Sequence, residues 1–591
     1  MMIQSTVGEI CVKGDFGTAW TLSHTQTVLE PGLEVIRLHL ETPDELPPPG
    51  FTLSWSVPQL DMQTRWHPKS IFNRYIPADW GGSTESDLAT SAPLMAFLNL
   101  KGQNRLTFAV SEAKRFVKFS GGVCEESNRI GCKIELFTVP EAPLHSYDVE
   151  LRLDTRSIFY ADAIRSVAEW FASFPEYKPA VAPEAAFEPI YSSWYSYHQQ
   201  LFDHELEAEC ARAGEYGMKG IIVDDGWQTD DNNRGYAFCG DWEISKKRFP
   251  DMRAHVAKIH ALGMKYVVWY SVPFVGFKSR AYDRFKGKFL YENQRLNTAV
   301  VDPRFPEIRE YLINIYETAI REWDLDGFKL DFIDSFCYYV YGFKDPAVAE
   351  NYAGRDIKSL PEACDVLLSE IMRRLRSLKP DILIEFRQSY IGPAIRKYGN
   401  MLRAADCPAD ILSNRLRTLD LRLTSGNTAV HSDMLEWNEN ETAELAALQL
   451  LNVLFSVPQI SVRLDRIPES HRRMLHFWLD FCIRHREVLL HGYLKPYHPE
   501  MNYPIVSSET AREKVIAVYN YGQVVKVACD PGKPCYVINA TGRSELVLEL
   551  QNVPVSAELF DTFGRPVSVP VLKAGPARVS IPYSGLLVLN F

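Results

Sequence analysis

No stretch of the 591-residue chain approaches the ~20 consecutive apolar residues that a membrane-spanning helix requires. Basic excess is also missing. The net charge is −11 with the acids dispersed, which leaves a nucleic-acid role without electrostatic support. The eleven cysteines are odd in number and irregularly spaced, which argues against a disulfide framework and for a reducing compartment; Cys529 and Cys535 are near enough to bridge, but nothing requires it. The first residues, Met1 to Glu9, lack a charged start followed by an apolar run, so no signal peptide is visible and a cytoplasmic location is expected. What the chain does have is 46% hydrophobic residues, enough length for two to four domains, and 12% aromatics with 12 Trp and 28 Tyr. Such aromatics suit stacking on sugar rings as well as core packing.

Three regions differ in pattern. Residues 1 to about 180 alternate apolar and polar in short runs between Pro and Gly clusters, as in 33–40 and 147–153, which predicts an antiparallel β-sandwich. A helical stretch over 160–174 leads to the connector Pro179-Ala180-Val181-Ala182-Pro183-Glu184, taken as the boundary. From 186 to 490 strand candidates alternate with helical segments, the mark of a parallel α/β architecture. Eight strands are expected, at 190–194, 220–224, 266–270, 327–332, 382–386, 401–405, 428–432 and 459–463. Helices are expected between most of them, for example at 204–216, 252–262, 306–323 and 361–378. Eight strands close a (β/α)8 TIM barrel. An extra apolar run, Ala299-Val300-Val301-Asp302, breaks the count, and an open doubly wound sheet would tolerate nine strands. The barrel is preferred because no Gly-rich phosphate turn follows the first strand. From 492 to 591 short β runs return at 515–519, 545–550, 557–560 and 585–591, a small second sandwich without repeats or low complexity.

The barrel is organised around Asp326-Gly327-Phe328-Lys329-Leu330-Asp331-Phe332. In a strand, side chains i and i+2 share a face, so Lys329 and Asp331 point the same way. A charged pair inside an apolar strand is costly unless it is matched or faces a polar cavity. A structural ion pair explains this as well as an active site does. The other strand ends weigh on the choice, because a barrel places its reacting groups there. They carry Trp194, then Asp224-Asp225-Gly226-Trp227, then Trp269-Tyr270, then Lys329 and Asp331 with Asp334 beyond, then Glu385-Phe386-Arg387, Asp406, and His431 with Asp433. Each alone has a bland reading as a strand cap or core aromatic. Acids and aromatics at seven of eight ends, with no Ser-His pair, describe a sugar site. Asp224, Asp225, Asp331 and Asp406 also invite a metal. Lys329 beside Asp331 would repel one, and no His-x-His or His-x-x-x-His spacing occurs in the barrel, so no metal or cofactor is expected.

These residues resemble the melibiase-type α-galactosidases, glycoside hydrolase family 36, with family 27 as a cousin. The likeness runs from about 186 to 440. It rests on Asp224-Asp225-Gly226-Trp227, Gly240-Asp241-Trp242-Glu243, Arg248-Phe249-Pro250, Ile259-His260-Ala261-Leu262-Gly263-Met264-Lys265, the run Asp302-Pro303-Arg304-Phe305-Pro306-Glu307-Ile308-Arg309, and the Lys329/Asp331 strand, in this order and spacing. The flanking sandwiches match the family's three-part architecture.

The resemblance implies that Asp331 is the nucleophile of a Lys-x-Asp motif, with Lys329 binding sugar hydroxyls. It implies that Asp224 and Asp225 grip the hydroxyls at carbons 4 and 6, and that Trp194 and Trp269 wall the pocket. It makes Asp406, in Arg403-Ala404-Ala405-Asp406, the general acid/base, with Asp410 as fallback. Glu385, Arg387 and Arg403 join the substrate-binding set. One departure stands out. Where the family usually follows the fifth strand's Glu with a Cys-Ser-Gly-Gly-type stretch, this chain reads Glu385-Phe386-Arg387-Gln388-Ser389-Tyr390. The sub-pocket at that end differs, and Arg387 brings a positive charge towards it.

The implied chemistry is retaining hydrolysis of an α-galactoside, a small-molecule substrate, with Asp331 attacking and Asp406 protonating the leaving oxygen. Lys329 is expected to hold Asp331 ionised. Asp406 is expected to sit dry, or near Asp410, so that it keeps its proton. Alternatives are the same mechanism on N-acetylgalactosamine, arabinopyranose or glucose, a transglycosylase, and an inactive sugar-binding protein. A homo-oligomer is compatible with all of these. Two loops are candidates for specificity. One carries Lys278, Arg280, Arg284, Lys286 and Lys288, read as a solvated basic surface in preference to an anion-binding lid. The other carries Tyr338, Tyr339, Tyr341 and Phe343, which either stack on further sugar units or pack under the loop.

Overall fold

The computed structural model describes residues 1–591 except 232, 234, 339–345 and 390, and the side chains of 346 and 347. Eight parallel strands form one sheet: β1 (Ile190–Ser192), β2 (Gly220–Val223), β3 (Lys265–Ser271), β4 (Gly327–Asp331), β5 (Leu383–Arg387), β6 (Met401–Arg403), β7 (Ala429–His431) and β8 (Gln459–Ile460). Each pairs with its sequence neighbour, and β8 pairs back onto β1 through Ile190 and Gln459. A parallel bridge between His431 and Val457 joins the last edge, so the sheet closes as a barrel. All eight expected strands are present. The extra run at 299–302 falls outside the barrel. Thr298–Val301 is the middle strand of a three-stranded antiparallel sheet, with Phe274–Gly276 and Phe289–Asn293 on either side.

The helices form where apolar residues recur at helical spacing and end where the chain supplies a stop. Pro306–Trp323 starts with Pro at its first position, where the missing N–H costs nothing. Its stripe of Ile308, Leu312, Tyr316, Ala319 and Trp323 is buried, and it stops at Asp324 in the left-handed conformation, φ 59°. Leu360–Leu378 repeats the design with Leu367, Leu368, Ile371 and Leu375 buried, and Pro380 lies just past its end. The bottom of the barrel is filled by Ile190, Ile222, Val267, Leu383, Met401 and Ala429. Burying each such side chain contributes ~1.5–3 kcal/mol, and this layer fixes where the strands' other ends open.

The N-terminal region packs two six-stranded antiparallel sheets face to face. Strict alternation builds its core. Phe51, Leu53, Trp55 and Val57 point inward from Phe51–Pro58, and Val149 pairs with Leu38 where Leu144–Asp154 meets Leu33–Leu46. Trp55 meets Phe108 edge-on with ring centres 5.0 Å apart. Helix Tyr160–Ser173 packs against Asn104–Val110 of that sandwich and against Ile411–Thr424 of the barrel. The C-terminal region holds a seven-stranded and a three-stranded sheet, including Lys514–Val518, Glu545–Leu550, Ser556–Phe560 and Leu586–Asn590. No helix among the described residues is long and apolar enough to cross a membrane, and none of the eleven cysteines is bridged.

Candidate active site

The strand ends converge at one mouth. On β4, Lys329 and Asp331 face inward as the period of two requires, and both are buried. The Lys329 ammonium donates to Asp224 at the end of β2, 2.5 Å away. Asp224 is further held by its neighbourhood: its own N–H donates to Ser193 Oγ at 2.9 Å, and its carboxylate accepts from the N–H of Asp225. Asp225 accepts from Gln199 and Gln228, each at 2.7 Å, yet burial pushes its carboxyl up to about 6. An ammonium thus occupies the place a cation would take at Asp224. Among the described residues no His/Cys/Asp/Glu cluster offers a metal three ligands.

Asp331 is cradled by donors on both oxygens. Trp269 Nε1 reaches Oδ2 at 2.9 Å, while Arg387 Nε at 3.0 Å and the Phe332 N–H at 2.8 Å reach Oδ1. Trp269 is therefore more than a wall, since its indole N–H orients the carboxylate. Tyr236 stacks on the Trp269 ring at 6.1 Å. Register explains Arg387: Lys329 pairs with Glu385, so Arg387, two residues on, stands beside Asp331. Arg387 in turn pairs with Arg403 on β6.

Arg403 is wholly buried and gathers three acids. It donates to Asp406 at 2.8 Å and to Asp433, and its Nε lies 3.5 Å from Glu385. Asp433 also accepts from Tyr195 at 2.9 Å and from the Cys407 N–H at 2.6 Å, and Gln459 donates to Glu385. Burial raises the carboxyls of both Glu385 and Asp433 against the pull of Arg403.

Asp406 is different. Its side chain is 49% exposed and ion-paired. Burial works to raise its proton affinity, but Arg403, Arg387 and Lys329 together outweigh burial and hold the carboxyl well below the usual range. This corrects the expectation of a dry, protonated Asp406. Three cations reach it, and Asp410 does not supply the repulsion proposed for it. The Asp410 carboxylate instead caps helix Ile411–Thr424, accepting from the Leu412 and Ser413 N–H groups and the Ser413 hydroxyl, and these bonds lower its proton affinity against burial.

Trp194 opens a short helix, Trp194–Tyr197, directly after β1 and sets its ring edge-on to His198 at 5.0 Å. His431 lies in the barrel core, bonded to the Ala186 carbonyl at 2.8 Å, and burial pushes it down to about 4. The basic loop is largely compensated. Arg280 pairs with Asp241 and Glu243, Lys288 with Glu307, and Lys278 and Arg284 lie over aromatic rings. Tyr338 packs under Arg304, 5.4 Å from ring centre to guanidinium, while Tyr339, Tyr341 and Phe343 lie outside the described residues. Sequence reasoning left Gln199, Gln228, Tyr195 and Tyr236 out of the site, because loop residues far apart in the chain carry no spacing signal. Asp433 was visible as a strand end but not as a member of the Arg403 cluster.

Residues 185–385 match the Melibiase family. A curated relative, alpha-galactosidase Mel36A of Lactobacillus acidophilus, is 26% identical over 152 residues, covering 24% of this chain and 20% of that protein. Probable alpha-galactosidase G of Emericella nidulans is 24% identical over 157 residues, 24% of this chain and 22% of that protein. The aligned stretch thus spans about a fifth of the length of these relatives. Among solved structures, the family 36 α-galactosidase AgaB of Geobacillus stearothermophilus superposes with a TM-score of 0.67 at 14% identity, over 99% of this chain and 83% of that one. A substituted AgaA from the same organism, in complex with raffinose, gives 0.68 at 14% over 99% and 83%. Over residues 185–385 the chain is similar to the Melibiase family, and as a whole it has the fold of the family 36 α-galactosidases.

Proposed function

We propose that this protein is a retaining exo-α-glycosidase acting on α-galactosides, with Asp331 as nucleophile and Asp406 as general acid/base. The observation that carries the reading is the cradle of Asp331. A buried carboxylate at a barrel strand end is oriented by Trp269, Arg387 and the Phe332 N–H, within a cluster whose cations all act on Asp406. Asp331 attacks the anomeric carbon, the glycosidic bond breaks, and the leaving oxygen takes a proton from Asp406. Asp406 as base then draws a proton from water, which opens the glycosyl ester and frees Asp331. Trp269, Arg387 and the Phe332 N–H stabilise the carboxylate charge that returns in that second step.

Asp224, fixed by Lys329 and Ser193, and Asp225, fixed by two glutamines, form a rigid pair of acceptors for sugar hydroxyls. Asp406 must gain a proton before it can act. Turnover is therefore favoured on the acidic side of neutrality. Arg387 stands where the sub-pocket departs from the family pattern with its guanidinium on the nucleophile, and on this reading it disfavours a bulky 2-acetamido group relative to a hydroxyl. A panel of p-nitrophenyl α-glycosides tests this: α-galactoside turnover is expected, with the 2-acetamido analogue much slower. Release from none of the panel would reject a hydrolase, and a preference for the 2-acetamido or gluco analogue would reject galactose as the sugar.

A further inference from the structure

Where helix Tyr160–Ser173 packs against helix Ile411–Thr424, the two leave a space that neither fills. Arg417, Leu421 and Thr424 line it at helical spacing from one side, and Ala168 and Phe171 from the other. Lys69 and Ser91 of the N-terminal sandwich and Arg396, in the short turn Ala394–Lys397 after β5, complete a cavity of about 280 Å³. Neither Asp331 nor Asp406 lines it. Its donors are unspent. Ser91 and Arg396 are 4% and 5% exposed, yet the Ser91 hydroxyl and the Arg396 Nε have no hydrogen-bond partner among the described residues. The buried Nε of Arg417 is in the same state. Arg396 makes one side-chain bond, from Nη1 to the Ala168 carbonyl at 3.1 Å, and burial lowers its guanidinium to about 10 with no acid to offset it. Lys69 stands exposed at the rim, without an ion pair among the described residues. The one acid in the wall, Asp420, is taken up by Arg74, Tyr503 and Trp66. A second space, beside Asp87 and Asp334, shows the usual arrangement: its Lys114 and Arg115 are each matched by acids.

We infer that this cavity, formed between the N-terminal sandwich and the outside of the barrel, binds a phosphate monoester whose organic part is about one ring in size, at a site separate from the sugar site. Three features set the ligand's chemistry. Buried donors left without partners are costly, and an anion is the group that satisfies two guanidinium nitrogens and a hydroxyl together. A carboxylate offers two oxygens in one plane. A phosphate offers three on a tetrahedron and up to two charges, which suits donors entering from a sandwich loop, a turn and a helix, with an ammonium at the rim. The rest of the wall is apolar, with Ile71, Leu94, Phe171, Leu402 and Leu421, so the ligand carries a body that gains from leaving water. None of this depends on the role of Asp331.

Two measurements decide. The first titrates phenyl phosphate into the full chain by calorimetry, with galactose present throughout to occupy the sugar site. Binding at a single site is expected. Arg417→Met should weaken it about tenfold, because a charge-assisted bond in a dry site is lost. Lys69→Met should weaken it about threefold, since a rim charge is screened by solvent. Arg387→Met should leave it unchanged, because that cation sits on Asp331. Absence of binding at millimolar phenyl phosphate would overturn the inference, and so would a loss at Arg387→Met with none at Lys69→Met or Arg417→Met. Inorganic phosphate is expected to bind about fivefold more weakly or worse, because it leaves the apolar wall uncovered. Equal affinity would overturn the choice of an organic ester.

The second uses the unaltered protein and holds even if Arg417→Met does not fold. Lys69 is exposed at the rim, so its acetylation by acetic anhydride, followed by peptide mass spectrometry, reports whether the cavity is filled. Lys13, exposed on the outer sheet of the sandwich, serves as the reference. Phenyl phosphate is expected to slow acetylation of Lys69 severalfold and to leave Lys13 unaffected. No protection of Lys69, or equal slowing at both lysines, would overturn the assignment.

Discussion

Two buried arginine–aspartate clusters in this protein use the same groups to opposite ends. At the junction of the three regions, Asp420 on the barrel helix Ile411–Thr424 accepts from Arg74 at 2.9 and 2.8 Å, from Tyr503 at 2.6 Å and from Trp66 at 3.1 Å. Arg74 and Trp66 come from the N-terminal sandwich and Tyr503 from the C-terminal part. Neither carboxylate oxygen is left without a donor, and both charged side chains are at most 3% exposed. At the barrel mouth, Arg403 is equally buried but donates to Asp406 and Asp433 with Glu385 3.5 Å from its Nε, and one of the three acids, Asp406, is half in solvent. The first cluster is closed and holds elements together. The second is open on one side, and its charges act on a group that is free to meet a substrate. What separates the two is the exposure of one carboxylate and the number of acids competing for one guanidinium.

The largest effect expected from breaking the comparison is at the mouth. Asp331→Asn should reduce hydrolysis by ~10³-fold or more, while galactose binding, followed by calorimetry, stays measurable. Near-wild-type turnover would remove Asp331 from its role. Next comes the junction. Asp420→Ala leaves Arg74 buried without its counter-charge and should cost ~3–5 kcal/mol in chemical denaturation, with initial rates on the aryl galactoside at low temperature little changed. A rate loss as deep as that of Asp331→Asn would mean the two clusters are not separable.

A third comparison sets Asp406 against Asp410. Asp406→Ala should lower turnover of melibiose by ~10²-fold or more and that of an activated aryl galactoside far less, because only the poor leaving group needs a proton. Asp410→Ala should cost ~1 kcal/mol of stability through the lost helix cap and spare both substrates. The reverse pattern would make Asp410 the acid. The smallest effect concerns Arg387. Arg387→Met removes one of three cations that hold the Asp406 proton affinity down, so that affinity rises. A general acid works only while protonated, so the alkaline limb of kcat/KM should move to higher pH, by about one pH unit or less. A shift to lower pH would contradict the placement of that charge.

Much of the architecture was legible before the fold was known. Alternation named the sandwich strands, and eight apolar runs separated by helical stripes named the barrel, because burial on one face leaves a periodic trace in the chain. Only the run at 299–302 misled, since an apolar strand reads alike inside a barrel and in a small sheet beside it. The site was legible as a set of residue types at strand ends, but not as a network. That Arg403 belongs to Asp406, or Arg387 to Asp331, follows from strand register and not from spacing. Asp410, four residues past Asp406, looked interchangeable with it until the start of a helix claimed its carboxylate.

By itself, the order of residues determined which segments are strands and helices, that Lys329 and Asp331 share a face, and that acids gather at one end of the barrel. These follow from local periodicity and from the handed geometry of parallel sheets. Tertiary structure alone decided that Arg403 pairs with Asp406 while Arg387 and Lys329 act on it from further off, that the Trp269 ring orients Asp331, and that a sandwich loop from residues 87–90 forms a wall next to Asp334. Electric fields and cavities depend on distances between groups tens to hundreds of residues apart, and a linear sequence does not carry those distances.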